Sequence, residues 1–551
     1  MARFIALFLL LLPVAAWAQS VRDAESLPGP ARTGARVVLL PESQQILLYG
    51  GLGLDPLTRQ RPAFEDLWLF DLSTGHWERI PKSDPWPGSR YYYGMALDAS
   101  REGLFLYGGI PEAKPPSYVC GNELWHFEST TRRWQLLESG LPNAPPGFFG
   151  GMSIDPMSGD PWIFFGTCFE GCNWYFARFN RSNGQWSGSA APRDVPGGRN
   201  SPAAPYDSRR GMMLIRGGQP PLGCAFSPSG NDVTALDPHA LWAFDPQSSR
   251  WRGLGALGSG PARLAVALAD YDAISDVYLQ YGGRASTVVS DSLWAFDMRA
   301  QAWSLLLDGD ARSRLRYDAA GVYCPCRGEL FVTTGAESTA NGAPEALRSD
   351  AYFLRVEDAA SFEWDGAGNS RNAPWRWGTL TLDDDGPIDP STVRLVNCAA
   401  GDDLQGATEA KRMGRDRWHV RFAAATADEN QALAGGHLVL TGRVQGRPVN
   451  FLARVQESRA FTQRVSPSSA LRCEPVAGGW SVQYTGENPE LARLQVFDVA
   501  GRLKARFDAP FAGGRTLIWD GRDGEGHRLP NGIYFLRVVG GEGVAKAVVI
   551  R

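Results

Sequence analysis

The chemistry that this sequence could perform depends most on a recurring set of arginines. Each stands 18 to 21 residues before a glycine that ends an apolar run, and the set is Arg32, Arg90, Arg199, Arg263 and Arg314. A sixth run has Phe148 in the corresponding position. Guanidinium groups bind carboxylates and sulfate through paired hydrogen bonds. If the five side chains converge, we expect an anion-binding site.

The same regularity supports a second interpretation, because a residue that recurs in register is usually part of a repeat's scaffold. In that case each arginine pairs with the backbone or a carboxylate of a neighbouring unit. Tyr91, Tyr92, Phe148 and Phe149 add aromatic surface beside these positions, which suits a sugar or a protein partner. Both interpretations stay open for the predicted binding residues, which are Arg32, Arg90, Tyr91, Phe148, Arg199, Arg263 and Arg314.

The elements that carry these residues form an internal repeat. The segment LWLFDLSTGHW at 67–77 returns as LWHFESTTRRW, LWAFDPQSSRW and LWAFDMRAQAW, and two tryptophans are nine residues apart in every copy. An apolar run that ends in a diglycine precedes each copy, and two further copies are degenerate, with Thr167 and Ala336 in place of a glycine. Period-2 apolar runs predict small antiparallel sheets. Such sheets bury both faces when they stack and close into a ring.

Diglycines followed by spaced aromatic residues and a closing tryptophan resemble the kelch motif, over residues 30–366. The resemblance implies an all-β fold that starts with a six-bladed kelch β-propeller. Some propellers of this family are enzymes, but His76, His126 and His239 are not expected to converge on the axis. We therefore predict no metal, no cofactor and no catalytic residue. An activity like that of sialic-acid mutarotase would use polar residues on the axis and stays an alternative.

The amino terminus predicts export. Residues 1–18 combine Arg3, a leucine-rich stretch and the small-residue site Ala16-Trp17-Ala18, which is typical of a cleaved signal peptide. No later segment is apolar and long enough to cross a bilayer. We expect a bacterial protein that is secreted or attached to the cell surface, with the periplasm and outer membrane included. The 55 basic and 59 acidic residues exclude a general attraction to nucleic acid.

Eight cysteines in an exported chain predict disulfides. Four of them follow the glycines of the second, third and fourth repeats and could link neighbouring loops: Cys120, Cys168, Cys172 and Cys224. Cys324 and Cys326 share a hairpin of the sixth repeat. Cys398 and Cys473 bracket the next domain, and we expect them to close it.

Two further β domains are predicted after the repeat. Strand-like runs at 375–460 predict a β-sandwich. Residues 475–551 carry VFDVAGRL, WDGRDGEG and LPNGIYFLRV, which resemble the C-terminal Ig-like domain related to that of the flagellar hook-capping protein. They are also similar to sorting domains of the type IX secretion pathway. That resemblance implies a module for export or cell-surface attachment, whereas the plain alternative is a structural sandwich.

These features predict a non-catalytic binding or adhesion protein. The binding surface would be the long loops at 52–65, 110–122, 219–239 and 336–349, because loops on a rigid scaffold commonly form binding sites. The expected partner is a protein or a glycan. The alternative is a carbohydrate-active propeller enzyme with its site on the axis.

Overall fold

The computed structural model is predominantly β, as predicted, and divides into two compact units, Met1–Gln456 and Glu457–Arg551. It describes residues 21–549 except 56, 112–120, 140–146, 156–157, 168–173, 191–203, 217–240, 247, 249, 255–259, 262–266, 286–287, 309–314, 338–345, 366–374, 383–386, 415, 424–425, 445–449, 456–470, 477–478, 485–492, 499–502, 509–515, 525 and 540–543. The predicted signal peptide, residues 1–18, lies outside the described residues.

The described part of the first unit contains six four-stranded antiparallel sheets, one for each repeat. Sheet 1 consists of Arg36–Leu40, Gln45–Leu52, Ala63–Asp71 and Trp77–Ile80. Sheet 2 consists of Gly94–Leu97, Gly103–Tyr107, Glu123–Glu128 and Arg133–Ser139, and sheet 3 of Gly147–Ile154, Pro161–Thr167, Trp174–Asn180 and Gln185–Ala190. Sheet 4 consists of Tyr206–Asp207, Met212–Ile215, Leu241–Asp245 and Arg250–Leu254, and sheet 5 of Leu268–Asp272, Val277–Tyr281, Leu293–Asp297 and Ala302–Leu307.

Sheet 6 is completed by the beginning of the chain. Its strands are Ala320–Cys324, Glu329–Thr333, Ala351–Arg355 and, at the outer edge, Val21–Ala24. Val21 pairs with Leu354 in antiparallel register. The strand Asp358–Trp364 falls within the predicted repeat span 30–366, but it belongs to the next sheet. Two short hairpins lie in the loops of sheets 5 and 6, formed by Arg284–Ala285 with Val288–Val289 and by Ala336–Glu337 with Ala346–Leu347.

The repeated tryptophans fill the space between neighbouring sheets. Trp134 of sheet 2 is 2% exposed, and its ring lies 5.1 Å from Phe127 of its own sheet and 5.4 Å from Tyr49 of sheet 1. Trp77 of sheet 1 makes the same kind of contact with Phe331 of sheet 6, at 6.2 Å. Aromatic burial of this kind is a main source of stability in a sheet stack.

The diglycines allow the second strand to approach the next sheet. Gly50 and Gly51 have φ values of 54° and 106°, in the region that disfavours residues with a Cβ. A Cβ on Gly50 would lie 2.5 Å from the carbonyl oxygen of Arg90. The Gly51 N–H donates to that same oxygen at 2.9 Å, so the glycine pair joins sheet 1 to the start of sheet 2.

The remainder of the first unit, residues 358–455, forms one eight-stranded sheet, which we call the eight-stranded module. Its strands, in spatial order, are Asp402–Gly406, Arg394–Asn397, Leu438–Arg443, Asn450–Arg454, Asp358–Trp364, Trp375–Leu382, Arg417–Ala423 and Glu409–Arg412. Buried apolar residues such as Leu380, Val420 and Leu440 form its core. A helix, Ala427–Ala434, begins where the Thr426 hydroxyl accepts a hydrogen bond from the Glu429 N–H, and a 3-10 turn spans Pro390–Thr392.

The second unit contains two sheets around a small core. One sheet consists of Leu471–Val476, Gly479–Tyr484 and Leu517–Trp519. The other consists, in spatial order, of Leu503–Asp508, Arg493–Asp498, Gly532–Val539 and Val544–Val549. Trp519, Leu494 and Leu536 are fully buried between them. The Ig-like and sandwich assignments stay predictions for this unit and for the eight-stranded module.

Candidate functional site

A cavity of about 510 Å³ lies where the first strands of the six sheets face one another, and we call it the axial cavity. Every sheet contributes, through residues 36–39, 95–97, 151–154, 206, 268–271 and 320–323. Small residues line much of it, including Gly151, Ala204, Ala269 and Ala320. Because these residues project little or no side chain, space for a small molecule is left between the strands.

Asp270 contributes a carboxyl group to this cavity. The residue is half-buried, and its carboxylate accepts hydrogen bonds from the N–H groups of Tyr271 at 2.8 Å and Tyr323 at 2.7 Å. Burial nevertheless raises the pKa of Asp270 to about 6, because loss of water outweighs these two donors, and the charge of Asp272 adds to the effect. Asp270 can therefore accept or release a proton near neutral pH.

A second carboxylate in the cavity, Asp318, is already engaged. Its oxygens accept a hydrogen bond from the Thr33 hydroxyl, and the Arg36 guanidinium lies 3.7 Å away. Burial raises the pKa of Asp318, although Arg36 and the Thr33 hydroxyl act in the opposite direction. This network links the starts of the first strands of sheets 1 and 6.

Ser153 supplies a hydroxyl group to the cavity wall. The residue is 4% exposed, and its Oγ has no hydrogen-bond partner within the described part of the chain. Arg101 also lines the cavity, and its Nε lies 3.8 Å from Glu42. Burial lowers the pKa of Arg101. The lining of the cavity thus includes a carboxyl, a hydroxyl and a guanidinium group.

Two of the predicted arginines are enclosed by protein and are not among the residues that line the axial cavity. Arg32 is completely buried, donates to the Gly50 carbonyl at 2.9 Å and forms a paired interaction with Asp66, with Nη2 to Oδ2 at 2.9 Å. Arg90 donates to the Gly108 carbonyl at 2.9 Å and lies 3.6 Å from Glu123. Backbone and carboxylate partners fit the scaffold interpretation, but they belong to each arginine's own repeat and not to a neighbouring unit as expected. Anion binding stays a prediction.

The sixth repeat has the same contacts at an arginine that the sequence comparison missed. Arg316 is 2% exposed, donates to the Thr334 carbonyl at 2.9 Å and to Asp350 at 2.7 Å. It precedes Thr334 by 18 residues, as Arg32 precedes Gly50. Counting from Gly335 led to Arg314 instead, because Thr334 replaces the first glycine of the pair. Arg199, Arg263 and Arg314 lie outside the described residues.

The predicted aromatic residues contribute little free surface where they are described. Tyr91 is 3% exposed and packs with Leu52 and Ile110. The backbone of Phe148 pairs with Gly166 in sheet 3. In the predicted binding loop 52–65, Leu57 is 91% exposed, and its N–H donates to Asp55 at 2.8 Å. Loop 219–239 lies outside the described residues, as do most of 110–122 and 336–349.

The disulfide pairing differs from the prediction for the eight-stranded module. Cys398 bonds to Cys326, so the expected closure of that domain by Cys398 and Cys473 is wrong. The reason is that Cys326, in a hairpin of sheet 6, packs directly against the module in a shared cluster with Val396 and Leu452. Within the described residues, Cys324 and Cys473 are free thiols. Cys120, Cys168, Cys172 and Cys224 lie outside them.

Helices that could cross a membrane are absent from the residues that the structure describes. Residues 7–218 match the family model of the KLHDC2/KLHL20/DRC7 Kelch-repeats domain. No curated protein matches the chain. The matched span contains sheets 1 to 3 and the first two strands of sheet 4, and it supports a kelch propeller, as the diglycine repeat predicts.

Proposed function

We propose that this chain is a protein-interaction propeller whose six sheets close into a ring. Ring contacts between consecutive sheets support closure, since Tyr281 of sheet 5 and Tyr352 of sheet 6 are hydrogen-bonded at 2.8 Å. Phe331 of sheet 6 stacks on Phe70 of sheet 1 at 5.1 Å. Kelch repeats suggest a protein partner, because they commonly serve as protein-binding scaffolds.

The observation that carries this proposal is the docking of the eight-stranded module on one edge of the sheets. The hairpins that join the first and second strands form this edge, which we call the hairpin face: 41–44, 98–102, 155 with 158–160, 208–211, 273–276 and 325–328. Cys326 is bonded to Cys398, and Ile274 packs against Val396. Since strands alternate in direction, the second strand of each sheet ends and the third begins at the opposite edge, which we call the loop face.

Polar contacts reinforce this docking. The Arg443 guanidinium lies 3.0 Å from Asp297, which ends the third strand of sheet 5. Asn450 is 2% exposed. Its backbone N–H donates to the Ser275 hydroxyl at 3.2 Å, and its side-chain amide donates to the Ile274 carbonyl at 3.3 Å. Because the chain itself covers the hairpin face at sheets 5 and 6, the loop face is the surface that we assign to the partner.

Site-specific photo-crosslinking tests the assignment. A photoreactive residue at Leu57, on the loop face, is compared with one at Thr131, which is exposed in a hairpin at the opposite edge of sheet 2. Both variants are incubated with the envelope fraction of the source organism. Crosslinked protein from position 57 and none from position 131 supports the proposal. Equal crosslinking from both positions contradicts it.

A second candidate is a carbohydrate-active propeller, and the Asp270 carboxyl and Ser153 hydroxyl in the axial cavity favour it. A cavity of about 510 Å³ is within the usual range for small-molecule sites. A glycan array with the purified chain tests binding, and NMR exchange between sugar anomers tests catalysis. Asp270→Asn should abolish either signal while the wild-type fold is kept. No binding and no anomer exchange in the wild type would rule this candidate out.

We also propose export, with residues 1–18 removed, and attachment through residues 475–551. Amino-terminal sequencing of the protein from the source cell should find Gln19 first. A chain truncated before residue 475 should be released from the cell surface, whereas equal retention of both forms would contradict attachment.

A further inference from the structure

We propose that Cys326, Cys398 and His437 form a binding site for a zinc-like divalent cation when the disulfide between the two cysteines is reduced. Cys326 belongs to the hairpin 325–328 of sheet 6. Cys398 follows the strand Arg394–Asn397, and His437 directly precedes the strand Leu438–Arg443. The site therefore lies where the eight-stranded module meets the hairpin face.

The ligand atoms are already close together. The sulfurs of Cys326 and Cys398 and one ring nitrogen of His437 lie within 4.8 Å of one another, and all three residues are buried. His437 Nδ1 is 4.0 Å from the Cys326 sulfur. In a tetrahedral zinc site, metal bonds of usual length separate sulfur from nitrogen by roughly 3.6 Å and two sulfurs by roughly 3.8 Å. Side-chain rotation after reduction is sufficient to reach this arrangement.

The backbone holds two of the ligands in place. The Cys398 N–H donates to the His437 carbonyl at 2.9 Å, and Asn397 pairs with Leu438 in the adjoining strands. Cys398 and His437 are therefore fixed relative to each other by one sheet. Cys326 is the ligand supplied from the other side of the contact.

Polar side chains next to two of the three ligands resemble those that surround the ligands in metal sites. His437 Nε2 lies 3.8 Å from the Glu42 carboxylate, and the other ring nitrogen, Nδ1, is the one close to the Cys326 sulfur. A carboxylate behind a histidine ligand is the usual arrangement in zinc sites. The Gln44 amide lies 3.5 Å from the Cys326 sulfur and donates to it, which stabilises a thiolate. Three protein ligands leave a fourth position for water.

The neighbouring Cys324 is not part of this site. Its side chain belongs to a different cluster, with Phe331 and Phe353, and its thiol faces the Val322 carbonyl at 3.8 Å. Burial raises the pKa of the Cys324 thiol, so a thiolate is disfavoured there.

The two states interconvert by balanced chemistry. A dithiol reductant transfers two electrons and two protons to the Cys326–Cys398 bond, and the reductant becomes a disulfide. The two thiols then release two protons as the divalent cation binds both sulfurs and His437 Nδ1. In the reverse direction, thiol–disulfide exchange with an oxidised dithiol restores the Cys326–Cys398 bond; the oxidant takes up the two electrons and two protons to become a dithiol, and the cation is released. Either state links the 325–328 hairpin to the eight-stranded module.

Cobalt binding to the full chain tests the site. The protein is reduced with a phosphine and titrated with Co²⁺, and then Zn²⁺ is added. We expect sulfur-to-cobalt charge-transfer absorption that zinc removes. The band should be lost in Cys326→Ser and in Cys398→Ser, and it should be unchanged in Cys324→Ser and Cys473→Ser. The oxidised wild type is the matched control and should show no such band.

Two variants keep the test decisive if the cysteine variants do not fold, because neither removes the disulfide from the oxidised protein. His437→Ala should weaken Co²⁺ binding by at least about tenfold, and Glu42→Gln by roughly tenfold, as loss of an outer carboxylate usually does. The proposal is overturned by absence of the charge-transfer band in the reduced wild type. It is equally overturned by a band that persists in folded Cys326→Ser, or by His437→Ala binding as tightly as wild type.

Discussion

The buried arginine of sheet 1 provides the sharpest test of whether the repeated arginines are scaffold. Arg32→Met keeps an apolar stem of similar length against Phe64, over whose ring the guanidinium lies at 4.4 Å. It removes the partner of Asp66, whose side chain is only 10% exposed, and of the Gly50 carbonyl. Breaking one half of a buried ion pair typically costs about 3–5 kcal/mol. Because the Trp68 indole still donates to Asp66 at 2.7 Å, we expect a loss of about 3 kcal/mol.

Urea-induced unfolding, followed by tryptophan fluorescence, measures this loss. Arg132→Met is the matched control, because Arg132 pairs with Glu78 through two hydrogen bonds but both side chains are more than 40% exposed. A pair of that kind is worth less than about 1 kcal/mol. Adding Asp66→Asn to Arg32→Met should recover about 1–2 kcal/mol, since no unpaired charge is then buried. Equal stability of Arg32→Met and Arg132→Met would refute the scaffold interpretation.

Three further predictions follow from the structure. Because the pKa of Asp270 is raised to about 6 in the folded chain, the free energy of unfolding of the wild type should fall as the pH rises from about 4 through 6. Urea unfolding should show Asp270→Asn to be more stable than the wild type at pH 8, by up to about 3 kcal/mol, and equally stable near pH 4. Peptide mapping without reduction should find Cys326 joined to Cys398 and no Cys398–Cys473 peptide. The double variant Cys326→Ser/Cys398→Ser should lose about 4 kcal/mol of the free energy of unfolding, because the bond closes a loop with a sequence separation of 72. Arg443→Met should raise protease cleavage in residues 358–455 several-fold with little effect on sheets 1 to 3, because it leaves Asp297 without this partner at the hairpin face.

Much of the fold could be read from the repeat, because each apolar run and each tryptophan has the same physical role in every copy. The diglycine at Gly50 and Gly51 is an example, since its close approach to Arg90 O requires the absence of a Cβ. The closing strand of sheet 6 could not be found in this way. Val21–Ala24 lies far from the other three strands in the sequence, and it carries no tryptophan.

The candidate site was harder to predict than the fold, because it depends on which residues meet across sheets. Asp270 belongs to the segment LADYD. The only feature of that segment that could have indicated a site is an acidic residue within a largely apolar first strand. Arg316 was missed because a threonine stands in place of the glycine from which the register is counted. The Cys326–Cys398 pairing depends on the docking of two separate sheets, which periodicity within one sequence does not encode.

Differences among the six hairpins of the hairpin face indicate why the loop face is the better candidate for partner binding. In sheet 2 the hairpin residue Ser100 is polar and exposed, which is usual for a surface turn. In sheets 5 and 6 the hairpins instead carry Ile274 and Cys326, which are 1% and 4% exposed beneath the eight-stranded module. Apolar residues in a surface turn would be unfavourable without a cover. Ile274 and Cys326 therefore serve to bind the chain's own eight-stranded module, and the loop face is the better candidate surface for an outside partner.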